Sequence, residues 1–289
     1  MAKTDPISIA NETHGLAGNL VLPDHAAPES PVPGAVVLGG PGPLPLQRYT
    51  REGTKNWPVV WSESFGHGGV AGLCFDQRGS GLSSGLYHEA DWDELYDDAR
   101  AAAEMLAVQP EVGRVAAVAW ADGAAFALHL AAEGKVQALV LLSPGYLTAE
   151  ERYAAQMSRL AAQKGLSDRV VQIRVSQWRS EMQALVKRVE QGETTAVTTV
   201  GDEQVTTNLV RFLQMTAFDP APVARQVAVP VLILHGENDS VIPPAESERL
   251  AEALGGPVER RLYPGDAHFL YRNQTALRDA ADWIKRVLA

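Results

Sequence analysis

The sequence predicts an α/β fold: a mostly parallel sheet flanked by helices, with an inserted helical cap. Short apolar runs alternate with stretches of helical composition along most of the 289 residues, the signature of βα units wound into a parallel sheet. A content of 46% hydrophobic and 21% charged residues is that of an ordinary globular chain long enough for one large core plus an insertion. Between Ser143 and Pro230, by contrast, roughly 75 residues carry helical patterns with no strand between them, far more than an ordinary connection needs.

In chain order, residues 16–22 form an early antiparallel strand, and the Pro-rich, acidic stretch 23–33 an exposed loop. Strands follow at 35–38, 70–75, 115–119, 138–142, 231–234 and 258–262. Helical composition and spacing occupy 91–107, 122–132, 246–254 and 275–288. The core therefore comprises residues 1–144 and 218–289, and the cap 145–217. The best cap helix runs over 167–191, where Val171, Val175, Trp178, Met182, Leu185 and Val189 recur along one face. Such a stripe is first a packing face. Trp178, Phe212 and Met215, with Trp120 of the core, are nevertheless the candidates for contact with a substrate. The stretch from Phe218 to Pro222 leads out of the cap and back to the sheet.

Charge and composition exclude several functions. A net charge of −10 disfavours nucleic acid and anionic membrane as partners, since both demand a basic surface. Cys74 is the single cysteine, so neither an internal disulfide nor a cysteine-based metal site can form. No apolar h-region opens the chain, which points to the cytoplasm. The most membrane-like stretch, 115–132, contains Asp122 and His129 and reads as a buried strand followed by a buried helix. No spacing of His, Asp or Glu suggests a metal, and the glycine-rich segment lacks the Lys-Ser/Thr of a phosphate-binding loop. No cofactor is implied; the expected partner is a small ester-like molecule, and the oligomeric state stays open.

The chemistry lies at strand ends. Residues 114–120 are a β-rich apolar run and 122–134 a helix of small residues, so Ala119-Trp120-Ala121-Asp122-Gly123 marks a turn too tight for large flanking side chains. A turn of this kind displays a nucleophile, but Ala121 has no oxygen to attack with. His235-Gly236-Glu237-Asn238-Asp239 follows an apolar strand and precedes Val241-Ile242-Pro243, placing Asp239 just beyond a strand's carboxyl end. His268, in Gly265-Asp266-Ala267-His268-Phe269, lies between the last strand and the last helix. The order is nucleophile position, acid, base.

With Leu38-Gly39-Gly40-Pro41-Gly42 after one strand and Phe75-Asp76-Gln77-Arg78-Gly79-Ser80-Gly81-Leu82-Ser83 after the next, these motifs resemble the serine carboxylesterases of the α/β-hydrolase superfamily. Branches related to serine aminopeptidases and monoglyceride lipases are included. The resemblance covers nearly the whole chain outside the cap. It implies the α/β-hydrolase fold, a triad at Ala121, His268 and Asp239, and ester, thioester or lactone substrates. The glycine segment is similar to the His-Gly-Gly-Pro-Gly of proline iminopeptidases, with leucine in place of the histidine. By that likeness the N–H of Gly40 is one oxyanion donor, because Pro41 has none to offer; the N–H of Asp122 is the other. Asp76 and Arg78 are expected to tie down their loop, Cys74 to be a small core residue, and His235 to be structural.

Ala121 admits three readings: an engineered serine-to-alanine exchange in a hydrolase, an enzyme using His268 and Asp239 for proton transfer without a covalent step, and a ligand-binding protein. The retained acid and base favour the first two, because binding alone requires neither.

Overall fold

The computed structural model describes residues 2–11, 14–39, 56–200 and 203–289. The chain forms two compact units, one comprising Met1–Tyr87, Leu95–Tyr146 and Ala221–Ala289, the other His88–Glu94 and Leu147–Pro220.

In chain order the elements are β1 (Lys3–Ala10), β2 (Gly15–Leu22), β3 (Val32–Leu38), α1 (Trp57–His67), β4 (Ala71–Phe75), α2 (Trp92–Ala107), β5 (Val112–Trp120), α3 (Ala124–Ala132) and β6 (Ala138–Leu142). There follow α4 (Ala149–Lys164), α5 (Asp168–Glu190), β7 (Thr195–Val200), β8 (Glu203–Asn208), α6 (Leu209–Ala217), α7 (Pro220–Ala224), β9 (Val231–Gly236), α8 (Pro244–Ala253), β10 (Val258–Tyr263) and α9 (Gln274–Leu288).

The first unit is built on an eight-stranded sheet of order β1-β2-β4-β3-β5-β6-β9-β10. Its first three strands pair antiparallel and the rest parallel. The middle strands are apolar throughout because both faces are covered. Ala35, Val37, Ala116, Val118, Val140 and Leu234 bury one face against Trp57, Trp61 and Phe65 of α1 and Leu277, Ala280 and Ile284 of α9. The other face meets α3 and α8, with Leu106 of α2 over Gly34. Every parallel strand therefore ends on the same side of the sheet, where βα loops collect functional groups.

Two elements of this unit were not expected. β1 is exposed along most of its length and contains Pro6, tolerated on an edge strand. α1 buries Trp57, Pro58, Val59, Trp61, Ser62, Phe65 and Gly66, so little amphipathic contrast marks it as a helix. The chain leaves the second unit through α7, where a Pro at the first position starts a helix in the stretch expected only to connect.

The second unit corrects the expectation of an all-helical insertion. β7 and β8 form an antiparallel hairpin, Thr195 opposite Asn208. Its Thr- and Val-rich runs favour extended backbone, yet they lack the apolar alternation that betrays a half-buried strand. α5 follows the expected helix closely; Val175, Trp178, Met182, Leu185 and Val189 are less exposed than their neighbours, and Val171 is half-buried together with Val170. Within this unit α4, α5 and α6 pack on one another. Asn208 caps α6 by accepting from the Arg211 N–H, and its amide donates to the carbonyls of His88 and Glu89. No helix among the described residues is long and apolar enough to cross a membrane.

Candidate active site

The sheet delivers three chain segments to one end, and Ala121 lies on the first. β5 runs extended to Trp120, with φ −115° and ψ 135°, and the chain then turns directly into a single 3-10 turn, Ala121–Gly123, that continues as α3. Ala121 sits at φ 50°, one of two non-glycine residues with positive φ among those described. A left-handed residue between strand and helix is the strained geometry of a nucleophile elbow. It is adopted here around a buried methyl group. Gly123 is required by close approach: a Cβ there would stand 2.7 Å from the Gly39 carbonyl oxygen at the end of β3. Asp122 lies in the turn with its side chain exposed. Gly40, the other expected oxyanion donor, lies outside the described residues.

Asp239 and His268 come from the loops after β9 and β10. The two loops run in contact: the Glu237 N–H donates to the Tyr263 carbonyl and the Asn238 N–H to that of Asp266. Gly236 allows this, since a Cβ there would stand 2.6 Å from both the Asp266 and Ala267 carbonyl oxygens. His268 Nδ1 is 2.9 Å from Asp239 Oδ2. The Val241 and Ile242 N–H groups both donate to Asp239 Oδ1, each at 2.9 Å.

Burial of Asp239 opposes its charge, but hydrogen bonds from His235, His268 and the Ile242 amide outweigh burial and hold the carboxyl well below the usual carboxylate range. The carboxylate is ionised at neutral pH. It therefore accepts the hydrogen bond that His268 donates from Nδ1–H, which leaves Nε2 as the ring nitrogen free of that bond.

Trp120 joins the elbow to this pair. Its indole Nε1–H donates to the His268 carbonyl at 3.1 Å, and the two rings lie 5.1 Å apart. Tyr271 stands edge-on to Trp120 with centroids 4.9 Å apart, and Phe269, half exposed, lies 5.9 Å away. The structure thus brings Trp120, Asp239 and His268 together. Trp178 stacks on Tyr153 in the second unit, with centroids 5.8 Å apart, and Phe212 and Met215 lie on α6.

Two residues beside the pair were not assigned to the site by their sequence context. Ser143, fully buried at the end of β6 with φ 46°, directs its hydroxyl toward the His268 carbonyl at 3.5 Å. His235 places Nε2 3.3 Å from Asp239 Oδ2. The Asp76 and Arg78 loop is architectural, as expected. Asp76 accepts from the Leu82 N–H at 2.9 Å, and Arg78 forms a buried two-pronged ion pair with Asp98. Burial pushes the Cys74 thiol up to about 12, so it stays protonated and unreactive. No group of His, Cys, Asp and Glu among the described residues could hold a metal ion.

A family model described as serine aminopeptidase, S33, matches residues 61–275. No match to a curated protein was found. Similar solved structures include a hypothetical protein of Pseudomonas aeruginosa, 19% identical, with a TM-score of 0.73 over 99% of this chain and 94% of that one. Est1E of Butyrivibrio proteoclasticus, solved with ferulic acid bound, is 16% identical, with a TM-score of 0.64 over 97% of this chain and 96% of that one. An esterase of Pyrococcus furiosus is also 16% identical, with a TM-score of 0.64 over 100% and 92%. At these identities the likeness shows the fold alone, and that fold is the α/β-hydrolase fold.

Proposed function

The chain belongs to the serine aminopeptidase S33 family, and from that premise we propose that it is a serine-type hydrolase of carboxylic esters, thioesters or lactones, held inactive by Ala121. The observation that carries this reading is the His268–Asp239 pair, assembled at 2.9 Å with its acid ionised, beside a strained elbow that lacks only a hydroxyl. With a serine at position 121, His268 Nε2 would take the hydroxyl proton as oxygen attacks the acyl carbon, and Asp239 would hold the resulting imidazolium. The N–H groups of Gly40 and Asp122 would receive the oxyanion. Without that oxygen the site binds its substrate and leaves the bond intact, as a trap. The Pyrococcus furiosus esterase among the structural neighbours supports the ester, while the family description keeps an amide in the comparison set.

The decisive experiment is Ala121→Ser, assayed with p-nitrophenyl acetate, an aminoacyl p-nitroanilide and a fluorophosphonate probe. Restoring a nucleophile to working machinery is expected to raise kcat on the order of 10⁴- to 10⁶-fold and to give covalent labelling. A folded Ala121→Ser protein inert toward all three refutes the reading. The intact pair also supports a second reading, proton transfer without a covalent step. In that case the protein with Ala121 turns over its own substrate, and His268→Ala abolishes the activity.

A further inference from the structure

Building on the reading of His268 and Asp239 as an acid–base pair, we infer that His235 is a positioning residue for the acid: its Nε2–H holds the Asp239 carboxylate in the orientation that His268 needs. His235 is fully buried near the end of β9. Its Nε2 lies 2.9 Å from the Ile242 carbonyl oxygen and 3.3 Å from Asp239 Oδ2. Both neighbours are acceptors, so the proton of a neutral ring belongs on Nε2 and is shared between them. Nδ1 is buried with no hydrogen-bond partner among the described residues. A second proton there would have no acceptor, so His235 acts as a neutral donor and leaves the carboxylate charge to His268.

Four nitrogens lie within 3.3 Å of the Asp239 carboxylate, and they differ in what anchors them. The Val241 and Ile242 amides lie in the same short loop as the acid and would move with it. His268 belongs to the loop that Asp239 itself must orient. His235 alone of the four sits on a strand, and β9 is paired on both sides, by β6 and by β10. It ties the acid, and through the Ile242 carbonyl the loop, to the rigid sheet. Its ring meets the Asp239 carboxylate, whose same oxygen meets His268 Nδ1.

The test uses the protein with Ala121 as it stands and reads the His268 Nδ1–H proton resonance, assigned by ¹⁵N-histidine labelling, together with its exchange with water. His235→Leu, close in volume but without a donor, is expected to speed that exchange roughly tenfold, the scale of one lost hydrogen bond. His235→Gln, whose amide can reach the Nε2 position, is expected to restore it to within about twofold. Should the Leu protein fail to fold, His235→Asn serves instead, because its shorter amide ends at the Nδ1 position. An unchanged resonance in a folded donor-less variant overturns the inference. So does a Gln protein that exchanges as fast as the Leu protein, since packing rather than the donor would then place the acid. The measurement needs no turnover, so an inert Ala121→Ser protein would refute the hydrolase reading and leave this result standing.

Discussion

Gly123→Ala tests whether the elbow is held in place by backbone contact. Gly123 has φ −60° and ψ −19°, which alanine adopts freely, so any penalty must come from the new methyl group. That methyl would stand 2.7 Å from the Gly39 carbonyl oxygen and 3.4 Å from the Leu38 oxygen. Relief requires a retreat of roughly 0.5 Å or more, given ordinary non-bonded separations. The receiving backbone cannot slide, because Leu38 pairs with Ala119 and β3 is bound on its other side by β4. Overpacking of this kind costs about 1–3 kcal/mol, and the smaller backbone freedom of alanine in the unfolded chain returns about 0.4–1 kcal/mol. At the middle of these ranges a net loss of about 1–2 kcal/mol remains, read as a Tm lower by roughly 2–3 °C in a chain of 289 residues. Gly15→Ala, with no atom of the described residues beyond its chain neighbours within 4 Å of the added carbon, is the control and should stay within about 0.5 kcal/mol of the parent. In the Ala121→Ser background, Gly123→Ala should also cut ester hydrolysis by about 10²-fold, since small displacements at a nucleophile are expensive. A Gly123→Ala protein as stable as its parent would refute the account of the elbow.

Two further outcomes follow from buried charges. Asp98→Asn removes the carboxylate that meets the Arg78 guanidinium at 2.7 and 2.8 Å; a loss of about 3–5 kcal/mol in urea unfolding is expected, partly recovered when Arg78→Met and Asp98→Leu are combined. Asp239 titrates well below its ordinary 3.8 in the folded protein, so its contribution is full above that value and fades as the pH falls toward the folded value. The stability gap between the parent and Asp239→Asn should therefore be constant from pH 7 to 5 and about 1 kcal/mol smaller at pH 3; an equal gap at all three refutes the assignment.

What could be read from the residues depended on whether burial left a periodic mark. β4, β5, β6 and β9 did, since continuous apolar runs are what two covered faces demand. β1 and the β7–β8 hairpin did not, because exposed strands rich in threonine and charge lack a one-sided pattern. α1 escaped for the opposite reason, being buried nearly all round. In the candidate site, Asp239 and His268 were legible because each lies in the loop that follows a parallel strand's carboxyl end. Ser143 and His235 were not: the positive φ of one and the reach of the other to Asp239 arise only when separate loops meet.

The elbow itself carries the last step of the reasoning. Left-handed backbone at an alanine costs about 1–2 kcal/mol relative to the right-handed form, and Ala121 adopts it without the hydroxyl that would make such a turn useful. The conformation is imposed by its surroundings. β5 is paired with β3 as far as Ala119 and with β6 as far as Trp120, Gly123 rests on the Gly39 carbonyl, and the Trp120 indole is fastened to the His268 carbonyl. A site so constrained needs no serine to keep its shape, which is why one restored oxygen is a fair test of the whole assembly.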